Sequence, residues 1–248
     1  MADFKHRQNG KFSGSHSTSR VLHWQPVHET GRFAVPHTPV NWLFDLDDTL
    51  HHAGAAVFPM INECMTRYIS HHVGVSRAEA DWMRTHYWER YGATLEGLSR
   101  HHHIQPAHFL RHTHPMATLL PLIDTSNTLP GLLRQLPGRK WVFSNGPQHY
   151  VEAIVRHLGI AHQIERSFGM DSFGLTPKPR LAAYRSVLRQ AGLAAGDCIM
   201  VEDSVQNLRT AKRLGMRTVW LSRQLRKPAW VDWRLVDLGS LRRLELLP

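Results

Sequence analysis

The chain has 248 residues, of which 42% are hydrophobic, and its formal net charge is +10. This length can bury a sizeable core but is short for two full domains. No apolar run approaches a membrane span and no apolar signal segment follows Met1, so we expect a cytoplasmic protein with no membrane partner.

Residues 1–37 differ in composition from the rest of the chain. They are rich in Ser, His, Gly and basic residues, contain only two acidic residues and show little periodicity. We therefore predict a disordered or loosely attached basic extension. An acid-poor segment of this kind can also resemble an organelle transit peptide, although no clear amphipathic face is present.

The first predicted strand ends in a cluster of carboxylates. The apolar run Val40–Phe44 is followed directly by Asp45 and, two residues later, by Asp47. In open α/β sheets ligands bind at the carboxyl ends of strands, where Asp45 could attack an electrophile and Asp47 could act as acid and then as base. A solvated turn that caps a helix is the alternative, and for Asp48 and Thr49 shaping the loop is the favoured role.

A helical segment follows, with far more residues before Gly138 than a simple crossover requires. Apolar residues recur at helical spacing from Met60 to Ile69, and this pattern stops near Gly74. Ser76 and Glu79 form a capping-box pattern before the next helix. We predict an α-helical cap domain at residues 56–130, inserted between the first two core strands.

The second predicted strand, Trp141–Phe143, precedes the small polar residues Ser144 and Asn145 and then Gly146. A hydroxyl group and a close backbone approach at glycine suit the binding of phosphoryl oxygens. Further along, prolines flank Lys178 in a stiff loop before the periodic run that begins at Leu181. A fixed ammonium at this point could neutralise charge on a pentacoordinate phosphorus.

Another strand, Cys198–Val201, ends at Glu202 and Asp203. Together with Asp45, these carboxylates could hold Mg²⁺, which prefers a few hard oxygen ligands. We predict helices at 150–158 and 204–214, which end at glycines, and a last strand at 218–221. The alternation of strands and helices predicts an α/β fold, a Rossmann-like doubly wound parallel sheet whose core comprises residues 38–55 and 131–248.

In this order the four motifs resemble those of the haloacid dehalogenase-like (HAD) superfamily of hydrolases, over about residues 40–222. Within that superfamily the chain is similar to the pyrimidine 5′-nucleotidase group. The residues that carry this second resemblance are Phe44–Leu50, Tyr91–Leu95 with Gly97 and Leu98, and Val201–Ser204 with Asn207, Leu208, Ala211 and Lys212.

The resemblance implies a role for each motif. Asp45 would be the nucleophile and form an aspartyl-phosphate, while Asp47 would protonate the leaving alkoxide and then activate water. Ser144 and the backbone of Asn145 would bind the phosphoryl group, and Lys178 would hold its charge. The resemblance also implies that Mg²⁺ is held by Asp45, the main-chain carbonyl of Asp47, Asp203 and Glu202, with Glu202 as a ligand or as a partner of one.

The activity that the resemblance implies is Mg²⁺-dependent hydrolysis of a small phosphorylated metabolite, a nucleoside monophosphate in the pyrimidine 5′-nucleotidase group, by a monomer or homodimer. Asp47 and the pair Glu202–Asp203 argue against a dehalogenase, which needs neither a leaving-group acid nor a metal. A phosphonatase would need a Schiff-base lysine from the inserted segment, and residues 51–138 contain no lysine.

Three alternatives stay open. A phosphotransferase or mutase of the same fold would use Asp45 and Asp47 in the same way, and a sugar-phosphate phosphatase would differ only in its substrate. A non-enzymatic nucleic-acid binder would account for the net charge. It would need a recognition helix or an aromatic-studded sheet, neither of which is evident, so we expect no specific nucleic-acid partner.

Histidines, cysteines and cap aromatics are given structural roles. The 19 histidines include clusters at 51–52, 71–72 and 101–103, which we interpret as exposed loop residues rather than metal ligands. His51 and His52 are the exception of interest, because they lie just past the catalytic loop. Cys64 and Cys198 lie in apolar stretches and are predicted to be buried thiols in a reducing compartment. The aromatic residues expected to fill the cap core, rather than to stack on a base, are Trp82, Tyr87, Trp88 and Tyr91.

Overall fold

A parallel six-stranded sheet forms the centre of the computed structural model, which describes residues 40–125 and 128–244. The predicted extension at 1–37 lies outside the described residues. The strands lie in the order β3-β2-β1-β4-β5-β6. They are β1 (Asn41–Phe44), β2 (Arg139–Phe143), β3 (Arg166–Phe168), β4 (Cys198–Glu202), β5 (Arg217–Leu221) and β6 (Trp233–Leu235). The chain therefore has the predicted α/β, Rossmann-like fold.

Side chains alternate between the two faces of the sheet and both faces are buried, as expected for parallel strands covered by helices. In β1, Leu43 belongs to one apolar cluster, whereas Trp42 and Phe44 belong to a second. In the same way, Met200 of β4 lies in the first cluster and Val201 in the second. The central strands are thus fixed in register from both faces.

Helices occupy each interval between consecutive strands from β1 to β5. Between β1 and β2 lie α1 (Val57–Ile69), α2 (Arg77–Tyr91), α3 (Thr94–His102), α4 (Pro106–Thr113), α5 (Met116–Leu119) and α6 (Leu129–Gln135). The later helices are α7 (Gln148–His157), α8 (Leu181–Ala191) and α9 (Val205–Arg213). These bounds confirm the predicted helices at 150–158 and 204–214 to within two residues at each end.

The first four helices pack on one another in the segment predicted to be a cap. A π-helical turn, Ser70–Gly74, extends α1 to the glycine at which the periodic pattern stopped. The Ser76 side chain accepts a hydrogen bond from the Glu79 amide at 3.2 Å, which satisfies a free donor at the start of α2. The local sequence signals therefore set both ends of this helix pair, while the domain boundary at residues 56–130 stays a prediction.

Several features differ from the sequence-based expectations. The short strands β3 and β6 were not predicted, because three residues carry too little pattern. Trp82 and Trp88 are 59% and 62% exposed, so the prediction that they fill the cap core is wrong, although Tyr87 is buried there. The histidines at 101 and 102 lie on α3 rather than in a loop, and their Nε2 atoms hydrogen-bond to Tyr91 and Tyr87.

The prediction that the cysteines are buried thiols is confirmed, because Cys64 and Cys198 are both buried and free. Among the described residues, no helix is long and apolar enough to cross a membrane.

Candidate active site

Three of the predicted motifs meet at one edge of the sheet because parallel strands present their carboxyl ends together. In the sheet register, Phe44 at the end of β1 lies beside Val142 of β2 and Val201 of β4. Asp45, the next residue, donates its amide to the Val201 carbonyl at 3.0 Å, so its backbone continues the strand pairing. The motifs are thereby brought together at the end of the central strand.

Lys178 closes the cluster from the loop before α8. Its side chain is 1% exposed, and its ammonium donates hydrogen bonds to Asp45 Oδ1 at 2.6 Å, Glu202 Oε1 at 2.8 Å and the Phe143 carbonyl at 2.9 Å. These three acceptors match the three N–H groups of an ammonium. Burial alone would lower the pKa of Lys178, but the charges of Asp45 and Glu202 raise it, so Lys178 stays positively charged.

The two carboxylates that contact Lys178 differ in their electrostatics. Burial, followed by the charge of Glu202, raises the pKa of Asp45 well above its ordinary value, although Lys178 opposes this shift. Burial would also raise the pKa of Glu202, but the charge of Lys178 and hydrogen bonds from Asp203 and Ser204 hold it below its usual range. One lysine therefore does not neutralise the whole cluster.

The raised pKa of the neighbouring Asp203 also indicates that the cluster has too little positive charge to balance its carboxylates. Burial and then its contact with Glu202 raise the pKa of Asp203 to about 7. Oxygen atoms of Asp45, Glu202 and Asp203 lie within 4.8 Å of one another, close enough to share one cation. A hard divalent ion would supply the missing charge, so these residues fit a metal of this kind.

Asp47 and Asp48 have separate roles in the loop after β1. The Asp48 carboxylate turns back and accepts the amide hydrogens of Ala53 at 2.8 Å and Gly54 at 2.9 Å, and its own φ is +57°. It therefore shapes the loop, as predicted. Asp47 instead directs its carboxylate toward Ser144, with 3.4 Å between Ser144 Oγ and Asp47 Oδ2.

Ser144 and Asn145 are held firmly, but not in the same way. Ser144 is fully buried, and its Oγ accepts the Gly146 amide hydrogen at 2.9 Å. The Asn145 side chain holds the loop that carries Lys178 through two hydrogen bonds. Its Oδ1 accepts the Lys178 amide hydrogen at 2.8 Å, and its Nδ2 donates to the Lys178 carbonyl at 3.1 Å. Their roles as phosphoryl ligands stay predictions.

A cavity of about 700 Å³ lies above this cluster. Its floor includes Asp45, Asp47, Asn145, Lys178, Glu202 and Asp203, whereas Ser144 is fully buried and does not line the cavity. Its walls include Phe58 and Asn62 of α1, Arg84 and Trp88 of α2, and Phe109 of α4. The predicted catalytic residues thus line a cavity that is bordered on one side by helices of the inserted segment.

The motifs alone did not identify three residues that complete the site. Tyr150 donates a hydrogen bond to Asp47 Oδ1 at 2.5 Å, and His51 lies 3.1 Å from the same oxygen. Asn207 donates to Glu202 Oε1 at 2.5 Å from the first turn of α9. His51 was noted only for lying beside the catalytic loop, and Asn207 was part of the family resemblance. Tyr150 carried no motif signal and was predicted simply as a helix residue.

Comparisons with known proteins identify the family to which this chain is similar. A family model for the haloacid dehalogenase-like hydrolases matches residues 42–215. Phosphate metabolism protein 8 of Saccharomyces cerevisiae is 24% identical over 194 residues, which is 71% of this chain and 59% of that protein. The chain therefore spans less than two thirds of the length of that relative.

Two solved structures share the fold over most of the chain. A HAD phosphatase from Thermococcus onnurineus has a TM-score of 0.60 and 18% identity, covering 82% of this chain and 96% of its own. CbbY from Rhodobacter sphaeroides, solved in complex with phosphate, has a TM-score of 0.58 and 20% identity over the same shares of the two chains. Because the family model covers well over half of the residues and the motifs lie together at the sheet edge, the chain belongs to the haloacid dehalogenase-like hydrolases.

Proposed function

We propose that the protein is a phosphomonoester hydrolase that works through an aspartyl-phosphate on Asp45. The observation that carries this proposal is the contact of Asp45 with Lys178 on the floor of a cavity that Asp47 also lines. Phosphoryl transfer depends mainly on positioning and on stabilising charge around phosphorus, and a buried lysine beside the nucleophile supplies both. Asp47 would serve as the general acid and then as the base.

Two of the comparisons support phosphate as the transferred group. One relative is named for phosphate metabolism, and one structural neighbour was solved in complex with phosphate. The net charge of +10 also favours an anionic substrate.

The metal in this proposal is Mg²⁺, held by the carboxylates of Asp45 and Asp203 and by the main-chain carbonyl of Asp47. When bound, it would neutralise charge on the phosphoryl oxygens. Both oxygens of Glu202 already accept hydrogen bonds, from Lys178 and Asn207 on one side and from the Ser204 amide on the other. Glu202 is therefore better placed to orient Lys178 and the start of α9 than to bind the ion directly.

For the substrate we propose a nucleoside monophosphate, as in the pyrimidine 5′-nucleotidase group. The cavity wall carries two aromatic side chains with accessible surface, Trp88 at 62% and Phe58 at 38% exposure, and a base could stack on them. Arg84 lies beside them and is oriented by its ion pair with Asp81 at 2.8 Å. A hydrogen-bonding guanidinium next to aromatic rings suits the edge of a nucleobase.

Phosphate release across a panel of nucleotides, sugar phosphates and p-nitrophenyl phosphate tests the reaction. Hydrolysis should require Mg²⁺, stop with chelator and be abolished in Asp45→Asn, whose circular dichroism spectrum should be unchanged. Activity retained in that variant would rule out Asp45 as the nucleophile. Preference for sugar phosphates would keep the chemistry and replace the nucleotide assignment.

Two tryptophans on the same helix provide a matched test of the substrate class. Trp88 lines the cavity, whereas Trp82 is equally exposed but does not line it. Trp88→Ala should raise KM for UMP roughly tenfold, the scale of one base–aromatic stack, with little change for p-nitrophenyl phosphate. Trp82→Ala should change neither value. Equal effects of the two substitutions would argue against base stacking on Trp88.

A further inference from the structure

The carboxylate of Asp47 is held by three side chains, one from its own loop and two from the segment that follows β2. Tyr150 donates its hydroxyl hydrogen to Oδ1 at 2.5 Å, and His51 Nε2 lies 3.1 Å from the same oxygen. Ser144 Oγ lies 3.4 Å from Oδ2. The two oxygens of this carboxylate are therefore not equivalent, since two short contacts converge on Oδ1 and one long contact reaches Oδ2.

Packing against neighbouring residues holds Tyr150 in this position. The residue is 1% exposed, lies in the first turn of α7 and packs its ring against His114, with ring centroids 5.3 Å apart. A Cβ atom at Gly146 would come within 2.7 Å of the Tyr150 ring, so the glycine of this motif leaves the space that the ring occupies. An ionised carboxylate only accepts hydrogen bonds, so the Tyr150 hydroxyl is the donor in this contact.

The tautomer of His51 follows from its two ring nitrogens. Nδ1 is buried and has no hydrogen-bond partner among the described residues, whereas Nε2 faces the Asp47 carboxylate. A hydrogen on Nδ1 would be an unpaired buried donor, which costs more than an unpaired lone pair. The hydrogen is therefore assigned to Nε2, which makes His51 the second donor to Oδ1.

We propose that Tyr150 and His51 saturate Asp47 Oδ1 and thereby make Oδ2 the oxygen that exchanges a proton with the substrate. A carboxylate oxygen has two acceptor positions, and two donors at Oδ1 leave none there for a proton. This inference rests on the proposed function, because it assumes that Asp47 is the acid and base. Tyr150 is a positioning residue, since it acts through Asp47.

The proton then follows one route through both steps. As the bond between phosphorus and the leaving oxygen breaks and phosphorus bonds to Asp45, the proton passes from Asp47 Oδ2 to that leaving oxygen. In the second step, Oδ2 takes a proton from water while the water oxygen bonds to phosphorus and the bond to Asp45 breaks. Asp47 therefore ends with the proton with which it began, and Oδ1 stays hydrogen-bonded throughout.

The leaving-group dependence of kcat/KM tests this proposal, because kcat/KM reports only on steps up to departure of the leaving group. A series of aryl and alkyl phosphates is measured with Tyr150→Phe, with Asp47→Asn and with the control Tyr68→Phe. The control removes another buried tyrosine hydroxyl, which contacts His108 at 2.6 Å and lies outside the cavity wall.

Tyr150→Phe should lose at least about tenfold more kcat/KM on alkyl phosphates than on p-nitrophenyl phosphate, as part of the hundredfold or larger effect of general acid catalysis. Asp47→Asn should show the same trend more steeply, and Tyr68→Phe should leave the slope unchanged. If Tyr150→Phe loses the same kcat/KM on every substrate while Asp47→Asn loses more on alkyl phosphates, the proposal for Tyr150 is overturned and the acid role of Asp47 stands. A flat series in both would overturn the acid role of Asp47 as well.

His51 supplies a second pair of variants should Tyr150→Phe not fold. His51→Leu removes the donor and should steepen the same dependence, whereas His51→Gln can still donate to Oδ1 and should restore much of the loss. Equal slopes for these two variants would contradict the assignment of His51 as a donor.

Discussion

Replacing Lys178 with methionine removes the only cation that contacts the two buried carboxylates of the candidate site within the described residues. Methionine has nearly the same length and fills the same space, so the change is chiefly electrostatic. The substitution leaves Asp45 Oδ1, Glu202 Oε1 and the Phe143 carbonyl without the ammonium that they share. Both the activity and the free energy of unfolding should therefore fall.

The expected loss of stability follows from burial. The side chains of Lys178, Asp45 and Glu202 are 1%, 9% and 0% exposed, so solvent screens their interaction very little. Removing one partner of such a buried ion pair costs about 3 to 5 kcal/mol, because the remaining charge is left without compensation. This is a large share of the total stability of a typical domain.

The loss should be largest near pH 8 and should shrink as the pH falls. In the wild type, the pKa of Glu202 lies below its ordinary value, so the stability contributed by this carboxylate is lost only as the pH falls through that low folded-state pKa, whereas the pKa of Asp45 already lies above its ordinary value. In Lys178→Met, burial and mutual repulsion raise the pKa values of Asp45 and Glu202 in the folded state. The variant therefore binds protons more tightly when folded and gains stability as the pH falls toward the unfolded-state pKa values, near 4.

Urea unfolding in the presence of chelator, at several pH values between 5.5 and 8, measures this difference. Adding Glu202→Gln to Lys178→Met should recover part of the loss, because only one buried carboxylate then remains. Lys140→Met is the matched control. Lys140 is also buried, and within the part of the chain that the structure describes its ammonium donates hydrogen bonds to the carbonyls of Leu136 and Gly138, at 2.7 and 2.9 Å, rather than to a carboxylate.

The control should lose about 1 to 3 kcal/mol without this pH dependence and without rescue by Glu202→Gln. A loss below about 1 kcal/mol in Lys178→Met would refute the reasoning. A loss that does not change with pH would refute it as well.

Two further predictions concern stability away from the site. Asp232 accepts hydrogen bonds from Lys212 at 2.7 Å and from the start of β5; burial would raise its pKa, but these bonds lower it. Asp232→Asn should cost about 1 to 3 kcal/mol at pH 7. In thermal unfolding, this difference should begin to shrink as the pH falls below the unfolded-state pKa of about 3.9, and it should vanish below the lower folded-state pKa, where the native carboxylate is protonated. Gly97→Ala should lower the free energy of unfolding by at least about 1 to 3 kcal/mol in urea unfolding, because the added Cβ would lie 2.2 Å from Tyr87 Cγ. Gly131→Ala is the control. Its added Cβ would meet no atom within 4 Å, so this substitution should be neutral or stabilising.

Many elements of the core could be predicted from the sequence because the patterns that indicate them are local. A buried strand that ends in carboxylates, such as Val40–Phe44 before Asp45, needs no long-range information to be recognised. The same holds for Ser76, whose side chain caps α2 through an amide only three residues away. The order of the motifs was enough to predict that Asp45, Ser144 and Glu202 meet at one edge, since parallel strands align their carboxyl ends.

The edge strands could not be predicted in this way. Arg166–Phe168 and Trp233–Leu235 are each three residues long, and each pairs with a single neighbouring strand. Their extended form is fixed by that pairing rather than by their own composition. The exposure of Trp88 was missed for a related reason, because helical periodicity does not say which of several aromatic residues faces a cavity.

The sequence by itself determined the class of fold, the order along the chain of the strands that end in polar residues, and the identity of the carboxylates and the lysine of the candidate site. Only the tertiary structure decided how the acid is oriented. Tyr150 and Asp47 are 103 residues apart in the chain, and they meet because α7 begins at the same sheet edge as the loop after β1. A contact of this kind depends on packing between distant elements, which no local pattern encodes.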